Sequence, residues 1–411
     1  MKRITLHCVF FLLGCFCCGK VFSQSTISGR VTEATYGGGL GNCNVFINNT
    51  GIGTITDSGG YFILRNVPAG KQNLIVSYVG FETFIYSFEG AGQPMEIGIE
   101  LKSRARELPN VVLEPYEEGD YQQWKHIFVP QFIGSTANAG DCRITNPGAL
   151  RFRYFTKSKK LQAWSEEPLL IENDALGYVL TYQLEQFEFD RVRNTIYFLG
   201  FVLFTDMQSN KAVKKQRWLK KRQEAYNGSL MHFMRSIYSS RLQEEGFTVR
   251  RMSKWMNEEK KRVSFFYKPQ IFTVVTTSSA APGMQQLSYD FKNEPKDLPK
   301  DSILYYRKVV MAPDSIVHFS RDPLTADSLV MADQGTEKVL YFGSTLYVQY
   351  KKMTGLRQHQ TVWSTVNMPA DKELHVSANG MYRDARDLLS GGEWSNMERI
   401  ANLLPWDYNL Y

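Results

Sequence analysis

Between Ser25 and Leu101 apolar and polar residues alternate in short runs, divided by turns rich in Gly and Asn. Ile27, Gly29 and Val31 open one predicted strand, and Val45–Ile47 forms the next. After Thr54–Thr56, the turn Asp57-Ser58-Gly59-Gly60 leads into Tyr61–Leu64, and Val67-Pro68-Ala69-Gly70 leads into Leu74–Phe81. Strands this short, each bounded by turn residues, predict a β-sandwich. Asp in such a turn bonds backbone amides, while Gly supplies the positive φ the chain needs there.

The pattern then changes. Lys102 to Asp120 is charged and contains Pro109 and Pro115, so 104–120 reads as a linker. Over 121–290 strands mix with helix: Leu150–Phe155 pairs with Leu161–Ser165, and Tyr178–Phe189 with Thr195–Thr205. Tyr178, Leu180, Tyr182 and Leu184 alternate with less apolar neighbours, as a half-buried strand requires. Residues 211–245 read as helical. Ser229 can cap a segment that spaces Leu230, Phe233, Met234 and Ile237 helically, with Gly246 as its end.

Strands are predicted to resume at Val263–Thr277. Over 291–411 they continue at Ile303–Met311, Ser315–Phe319, Lys338–Tyr341 and Leu346–Tyr350. Asn379-Gly380 reads as a hairpin turn, and Glu393–Leu404 as a short helix stopped by Pro405. The expected fold class is an N-terminal all-β sandwich over 25–103, followed by a larger strand-rich α+β region.

Residues 1–24 read as a signal peptide, with Lys2 and Arg3 before an apolar run from Ile4 to Phe16. Three outcomes fit: cleavage after Ser23, acylation of Cys15, which ends the lipobox-like Leu12-Leu13-Gly14-Cys15, or retention as an uncleaved anchor. Export places the protein in the periplasm, the outer membrane or the cell surface. Four of the six cysteines lie in the leader, leaving Cys43 and Cys142, which are expected as free thiols. Loss of Lys2, Arg3 and Lys20 with the leader takes the net charge from +7 to +4, a balance that selects no partner for the whole chain.

The run I-x-G-x-V, T-x-D-x-x-G-x-F, V-P-x-G and S-x-x-G-F resembles the carboxypeptidase regulatory-like, transthyretin-like sandwich. The one departure is Cys43, where a small apolar residue is commoner. The resemblance implies an accessory domain without zinc ligands. Glu107–Leu113 resembles the segment that follows this sandwich in TonB-dependent receptors. Such a receptor needs a plug and a 22-stranded barrel. At about 10 residues per strand, the chain beyond residue 120 is too short for both. Trp124 to Tyr411 is similar to exported bacterial proteins with an uncharacterised α+β region. That weaker resemblance rests on Y-x-G-S-x-x-H-F-x-R (Tyr226–Arg235) and L-P-x-D-Y (Leu404–Tyr408), and it implies no activity.

The sequence carries little recognisable chemistry. None of His7, His126, His232, His318, His359 and His375 begins H-x-x-E or H-E-x-x-H, and no G-x-S-x-G, S-x-x-K, P-loop or dinucleotide fingerprint occurs. No cofactor or metal is expected. Lys211, Lys214, Lys215, Arg217, Lys220, Lys221 and Arg222 form a run with no acidic residue between them. Such a run attracts anions, or merely keeps a helix soluble. Tyr226, His232 and Arg235 follow it. They make either an anion- or glycan-binding cluster with Lys214, Lys215, Lys220, Lys221 and Arg222, or a solvated helix face with His232 bonded to nearby backbone. Asp301-Ser302, Asp314-Ser315 and Asp327-Ser328, each followed by an aliphatic residue, resemble acceptors for envelope O-glycosylation or plain turn pairs.

The sequence therefore describes a non-enzymatic envelope protein whose sandwich docks or spaces a binding and assembly region. Its expected partners are an envelope protein, acidic glycans or lipid head groups, with peripheral or lipid-anchored attachment to the outer membrane and no nucleic acid. The alternatives are a hydrolase of peptides or glycans with a non-local site, and a small outer-membrane barrel.

Overall fold

The computed structural model describes residues 25–90, 92–104, 114–268, 270–275, 285–290, 299–353, 359–369, 371–383 and 388–409. The leader, Cys15 and the Glu107–Leu113 segment lie outside the described residues. No helix among those described is long and apolar enough to cross a membrane.

Seven strands build the first domain: β1 (Ser25–Glu33), β2 (Asn44–Ile47), β3 (Gly53–Ile55), β4 (Tyr61–Val67), β5 (Gly70–Ser77), β6 (Phe84–Gly90) and β7 (Met95–Leu101). They form two sheets, ordered β4-β1-β7 and β3-β2-β5-β6, with Ile27, Val31, Val45, Phe62, Leu74 and Val76 buried between them. The Asp57 turn works as its sequence implies, Oδ1 accepting from Gly59 N and Tyr61 N at 2.9 Å each. Gly29 is required by packing: a Cβ there would sit 2.0 Å from the carbonyl oxygen of Ile97 on β7.

Next come β8 (Tyr116–Gly119), α1 (Tyr121–Phe132), β9 (Cys142–Ile144), β10 (Leu150–Phe155), β11 (Lys160–Ser165), β12 (Leu169–Asn173), β13 (Tyr178–Asp190) and β14 (Thr195–Asp206). These strands make a seven-stranded sheet ordered β8-β10-β11-β13-β12-β9, with β14 on the free side of β13. Tyr116–Gly119, inside the stretch read as linker, is thus an edge strand, paired with β10 from Phe152↔Gly119 to Phe155↔Tyr116. Trp124, Phe128 and Phe132 of α1 pack on this sheet, where Phe128 meets Phe152 and Phe187 edge-on.

Helices α2 (Ala212–Tyr226) and α3 (Leu230–Tyr238) follow. They break at Asn227-Gly228, where Gly228 has φ +81°, and Ser229 caps α3 by accepting from His232 N at 3.1 Å. The helix stops well before Gly246, because Ser240 takes a left-handed φ of +56°.

The rest comprises β15 (Phe247–Met256), α4 (Glu258–Phe266), β16 (Gln270–Val275), β17 (Gln285–Asp290), α5 (Lys300–Met311), β18 (Ser315–Phe319), β19 (Val330–Asp333), β20 (Glu337–Leu340), β21 (Thr345–Met353), β22 (His359–Asn367), β23 (Leu374–Ser377), β24 (Tyr382–Arg383), β25 (Leu389–Gly392) and α6 (Trp394–Met397). The sheets are β18-β15-β21-β22-β25, β19-β20-β23-β24 and the pair β16-β17. Helix α3 packs against the five-stranded sheet through Phe233 and Ile237, with Phe247, Leu346, Val366 and Trp394 opposite. A division at residue 290 would cut this sheet, since β15 pairs with both β18 and β21.

Three segments differ from the sequence reading. Val263 begins no strand: Asn257 accepts from Lys260 N at 3.0 Å and, with Glu258 and Glu259 in the first turn, starts α4 instead. Ile303–Met311 is helix α5, because Tyr306, Val309 and Val310 recur at helical spacing and pack on Val263 and Tyr267. The helix read over Glu393–Leu404 is only α6 and a 3₁₀ turn at Ile400–Asn402, interrupted at Arg399, whose backbone is extended. No sheet closes on itself among the described residues. The architecture is a β-sandwich followed by a larger strand-rich α+β region.

Candidate functional site

The basic run lies on α2, and the fold neutralises more than half of it. Asp174, in the turn after β12, receives Lys214 and Arg217 at 2.6 Å each. Burial would raise the Asp174 carboxyl, but those two cations hold it below its ordinary value. Lys221 pairs with Glu224 at 2.9 Å. Arg222 lies 3.7 Å over the Tyr178 ring and donates to Leu176 O, Gly177 O and Asp206 Oδ1 at 2.7, 3.1 and 2.6 Å. Among the described residues only Lys211, Lys215 and Lys220 of the run are exposed without an ion pair. The acidic partners come from the turn after β12, from the end of β14 and from the last turn of α2 itself.

Tyr226, His232 and Arg235 are brought together but form no solvated face. His232 is 4% exposed, between the rings of Tyr226 and Phe247 at 4.7 and 4.9 Å. Gly228 N donates to its Nδ1 at 3.1 Å, which leaves the ring proton on Nε2, 3.2 Å from Glu245 Oε2. Burial depresses the imidazole pKa, more than the Glu245 carboxylate raises it, so the ring stays neutral. Arg235 lies 5.3 Å from the Tyr226 ring centroid. It donates to Asn379 O, Trp406 O and Tyr408 O at 2.8, 3.1 and 2.9 Å. The anion-binding reading of Tyr226, His232 and Arg235 is thus replaced by an internal one. They fasten the C-terminal segment, whose Tyr408 ring sits 5.8 Å from that of Tyr226. The sequence runs Tyr226–Arg235 and Leu404–Tyr408 are two halves of one joint.

That joint continues into the sandwich. The turn after β2 runs along the free edge of β14: Asn49 N donates to Val202 O at 2.8 Å, and Phe204 N to Thr50 O at 2.9 Å. Asn48 Oδ1 accepts from Val202 N at 3.1 Å. Trp406 N donates to Asn49 O at 2.7 Å, and Gly51 N to Asp407 Oδ2 at 3.1 Å. Phe46 and Ile75 of the sandwich bury against Phe201 and Leu203.

Where the sandwich turn, β13–β14, the α2–α3 break and the C-terminal segment meet, they line a half-open cavity of about 230 Å³. Tyr182, Phe198, Tyr382 and Trp406 contribute to its wall, with Asn402 and Glu398. Glu398 Oε1 accepts from Leu230 N at 2.8 Å. Burial pushes its carboxyl up to about 7, against the lowering effects of the Leu230 amide and Arg399. The sequence reading missed this cavity. Its one legible sign was Leu404–Tyr408, which contains Trp406.

Residues 27–113 match the family described as the CarboxypepD_reg-like domain. The sandwich is a CarboxypepD_reg-like domain. Its Cys43 is buried, with Sγ 3.4 Å from Leu40 O, so the thiol fits where a small apolar residue is usual. Cys43 and Cys142 are both free. No curated protein matches the chain. A type II cohesin–X-dockerin complex from Acetivibrio cellulolyticus is 20% identical over 19% of this chain and 56% of that chain, with TM-score 0.17. The 3-chlorocatechol 1,2-dioxygenase of Rhodococcus opacus is 11% identical over 20% and 61%, also with TM-score 0.17. A Bacteroides uniformis protein described as carbohydrate-binding is 6% identical over 86% and 98%, again with TM-score 0.17. The chain spans less than two thirds of the first two structures. Likenesses this slight say nothing of ligand or activity.

The three Asp-Ser pairs lie in unlike settings. Ser302 is in the first turn of α5, Ser315 opens β18, and the exposed Ser328 donates from Oγ to Thr325 O at 2.7 Å. The three pairs therefore share no common turn setting.

Proposed function

We propose that the protein is a non-enzymatic component of the cell envelope, exported by its leader, in which the CarboxypepD_reg-like domain holds a binding and assembly region in place. The observation that carries this reading is the Asn48–Thr50 turn, which bonds main chain to main chain with β14 and with Trp406. The sandwich docks on its own α+β region as an added edge segment does on a sheet. Two surfaces remain for a partner. One is the trio Lys211, Lys215 and Lys220. The other is the open face of the five-stranded sheet, where Phe319, Tyr347 and Trp363 stand in a row at 4.7 and 6.2 Å between centroids. Trp363 is 53% and Phe319 48% exposed. The cations suit acidic glycans, lipid phosphates or an acidic protein face, and the exposed rings suit the apolar faces of sugars or side chains.

One observation favours a hydrolase: a carboxyl with pKa raised to about 7 in a cavity suits a general acid. The cavity wall offers neither a second carboxylate nor a nucleophile paired with a base, which leaves binding as the better account. The test replaces Lys211, Lys215 and Lys220 by Gln, and separately Trp363 by Ala, and measures retention on native envelopes at low and high salt. The expected result is weaker retention, with a flatter salt dependence in the lysine variant. Undiminished retention in both, or turnover of peptide or glycan by the purified chain, would overturn the reading.

A further inference from the structure

We propose that the cavity at the joint between the sandwich and the α+β region is a binding site for a small organic ammonium ion. The wall carries four aromatic side chains, Tyr182, Phe198, Tyr382 and Trp406, together with the single carboxylate of Glu398. Rings supply the negative faces that attract an organic cation, and aromatic enclosure with a counter-charge is how ammonium groups are recognised. Glu398 Oε1 accepts from the Leu230 amide at 2.8 Å, and Asn49 Oδ1, also of the wall, is a buried acceptor to which no described residue donates. The Asn402 side-chain oxygen is occupied by Asn138 Nδ2 at 2.8 Å, so its amide nitrogen is left to orient a polar substituent on the ligand.

Charge and size narrow the class. No lysine or arginine contributes to the wall, so an anion would meet Glu398 uncompensated. The neighbouring cation, Arg399, lies 5.8 Å from the Phe198 ring centroid and outside the wall. A volume of about 230 Å³ lies below the range of about 300–1,000 Å³ that holds drug-sized molecules. It suits a single amine of amino-alcohol size. Ionised Glu398 binds the cation better than protonated Glu398, so affinity should rise with pH through about 7 and bring proton release. Around Glu398 the groups that share this field are Arg399, Tyr382 and the Leu230 amide.

The probes are choline, ethanolamine and the neutral choline isostere 3,3-dimethylbutan-1-ol, titrated calorimetrically into the full mature chain. Saturable binding of at least one ammonium probe is expected, at least tenfold tighter than the isostere and at least threefold tighter at pH 8 than at pH 6. Glu398→Gln should lose at least tenfold. Trp406→Leu should also weaken binding, and Trp406→Phe should restore part of it, each with a cooperative thermal transition retained. Sedimentation with phosphatidylethanolamine vesicles that ethanolamine competes away identifies a lipid head group as the source, whereas binding of free amines alone identifies a soluble one. The proposal is overturned if no ammonium probe binds, if the isostere binds as well, or if a folded Glu398→Gln chain binds unchanged. The envelope reading is tested on Lys211, Lys215, Lys220 and Trp363, none of which lines this cavity, so this site and that reading fail separately.

Discussion

Replacing Glu398 by Gln isolates the cost of burying a carboxyl at the joint. The amide oxygen of Gln can still accept from Leu230 N, so the cap on α3 survives while the titratable group goes. Glu398 is raised from 4.5 to about 7, with burial as the leading cause. In its ionised form such a group costs about 3 kcal/mol of folding stability. The sign follows from the direction. Below pH 4.5 the carboxyl is protonated in both states and costs nothing. Between 4.5 and about 7 the unfolded chain ionises first, so stability falls as pH rises; above about 7 both states are ionised and the loss is complete. Wild type and Glu398→Gln should therefore unfold at similar temperatures at pH 4.5. At pH 8.5 the variant should lead, by roughly 2–4 °C per kcal/mol for a cooperative unit of 150–250 residues. Thermal unfolding by circular dichroism across that range reads the effect. A constant gap at all pH values, or a variant less stable at pH 8.5, would refute the argument that burial of the charge governs this residue.

Arg235→Met removes three bonds to backbone carbonyls, two of them in the C-terminal segment, and should destabilise the chain by about 2–5 kcal/mol. Limited proteolysis should then release the segment beyond Leu403 first; protection equal to wild type would count against the fastening role. A fragment of residues 25–104 should unfold cooperatively, because its core lies between its own two sheets. It should melt below the whole chain, since Phe46 and Ile75 lose Phe201 and Leu203. A fragment that melts as high as the whole chain would count against a stabilising role for that contact.

How far the sequence reached follows from the range of each signal. Period-two alternation and turn chemistry are local, so the sandwich, the Asp57 turn, the β10–β11 and β13–β14 pairs and the Ser229 cap were all legible without a structure. The same local view misjudged Ile303–Met311. Its apolar residues suit a strand by type, and only packing against Val263 and Tyr267 reveals the helical spacing at work. Non-local pairing was decided by the tertiary structure alone. Asp174 and Asp206 quench the basic run from elements that precede it in the chain, and burial turns His232 and Arg235 from an apparent surface cluster into a fastening. Glu398 shows the limit most clearly. An isolated Glu in a polar stretch carries no sign of burial, because its environment is set by Tyr182, Tyr382 and Leu230, which reach it only when the chain has folded. Sequence determines which segments can be strands, turns and caps, since those preferences are settled within a few residues. Which charges are paired, which are buried and which side chains share a cavity depends on contacts far apart along the chain, and those the fold decides.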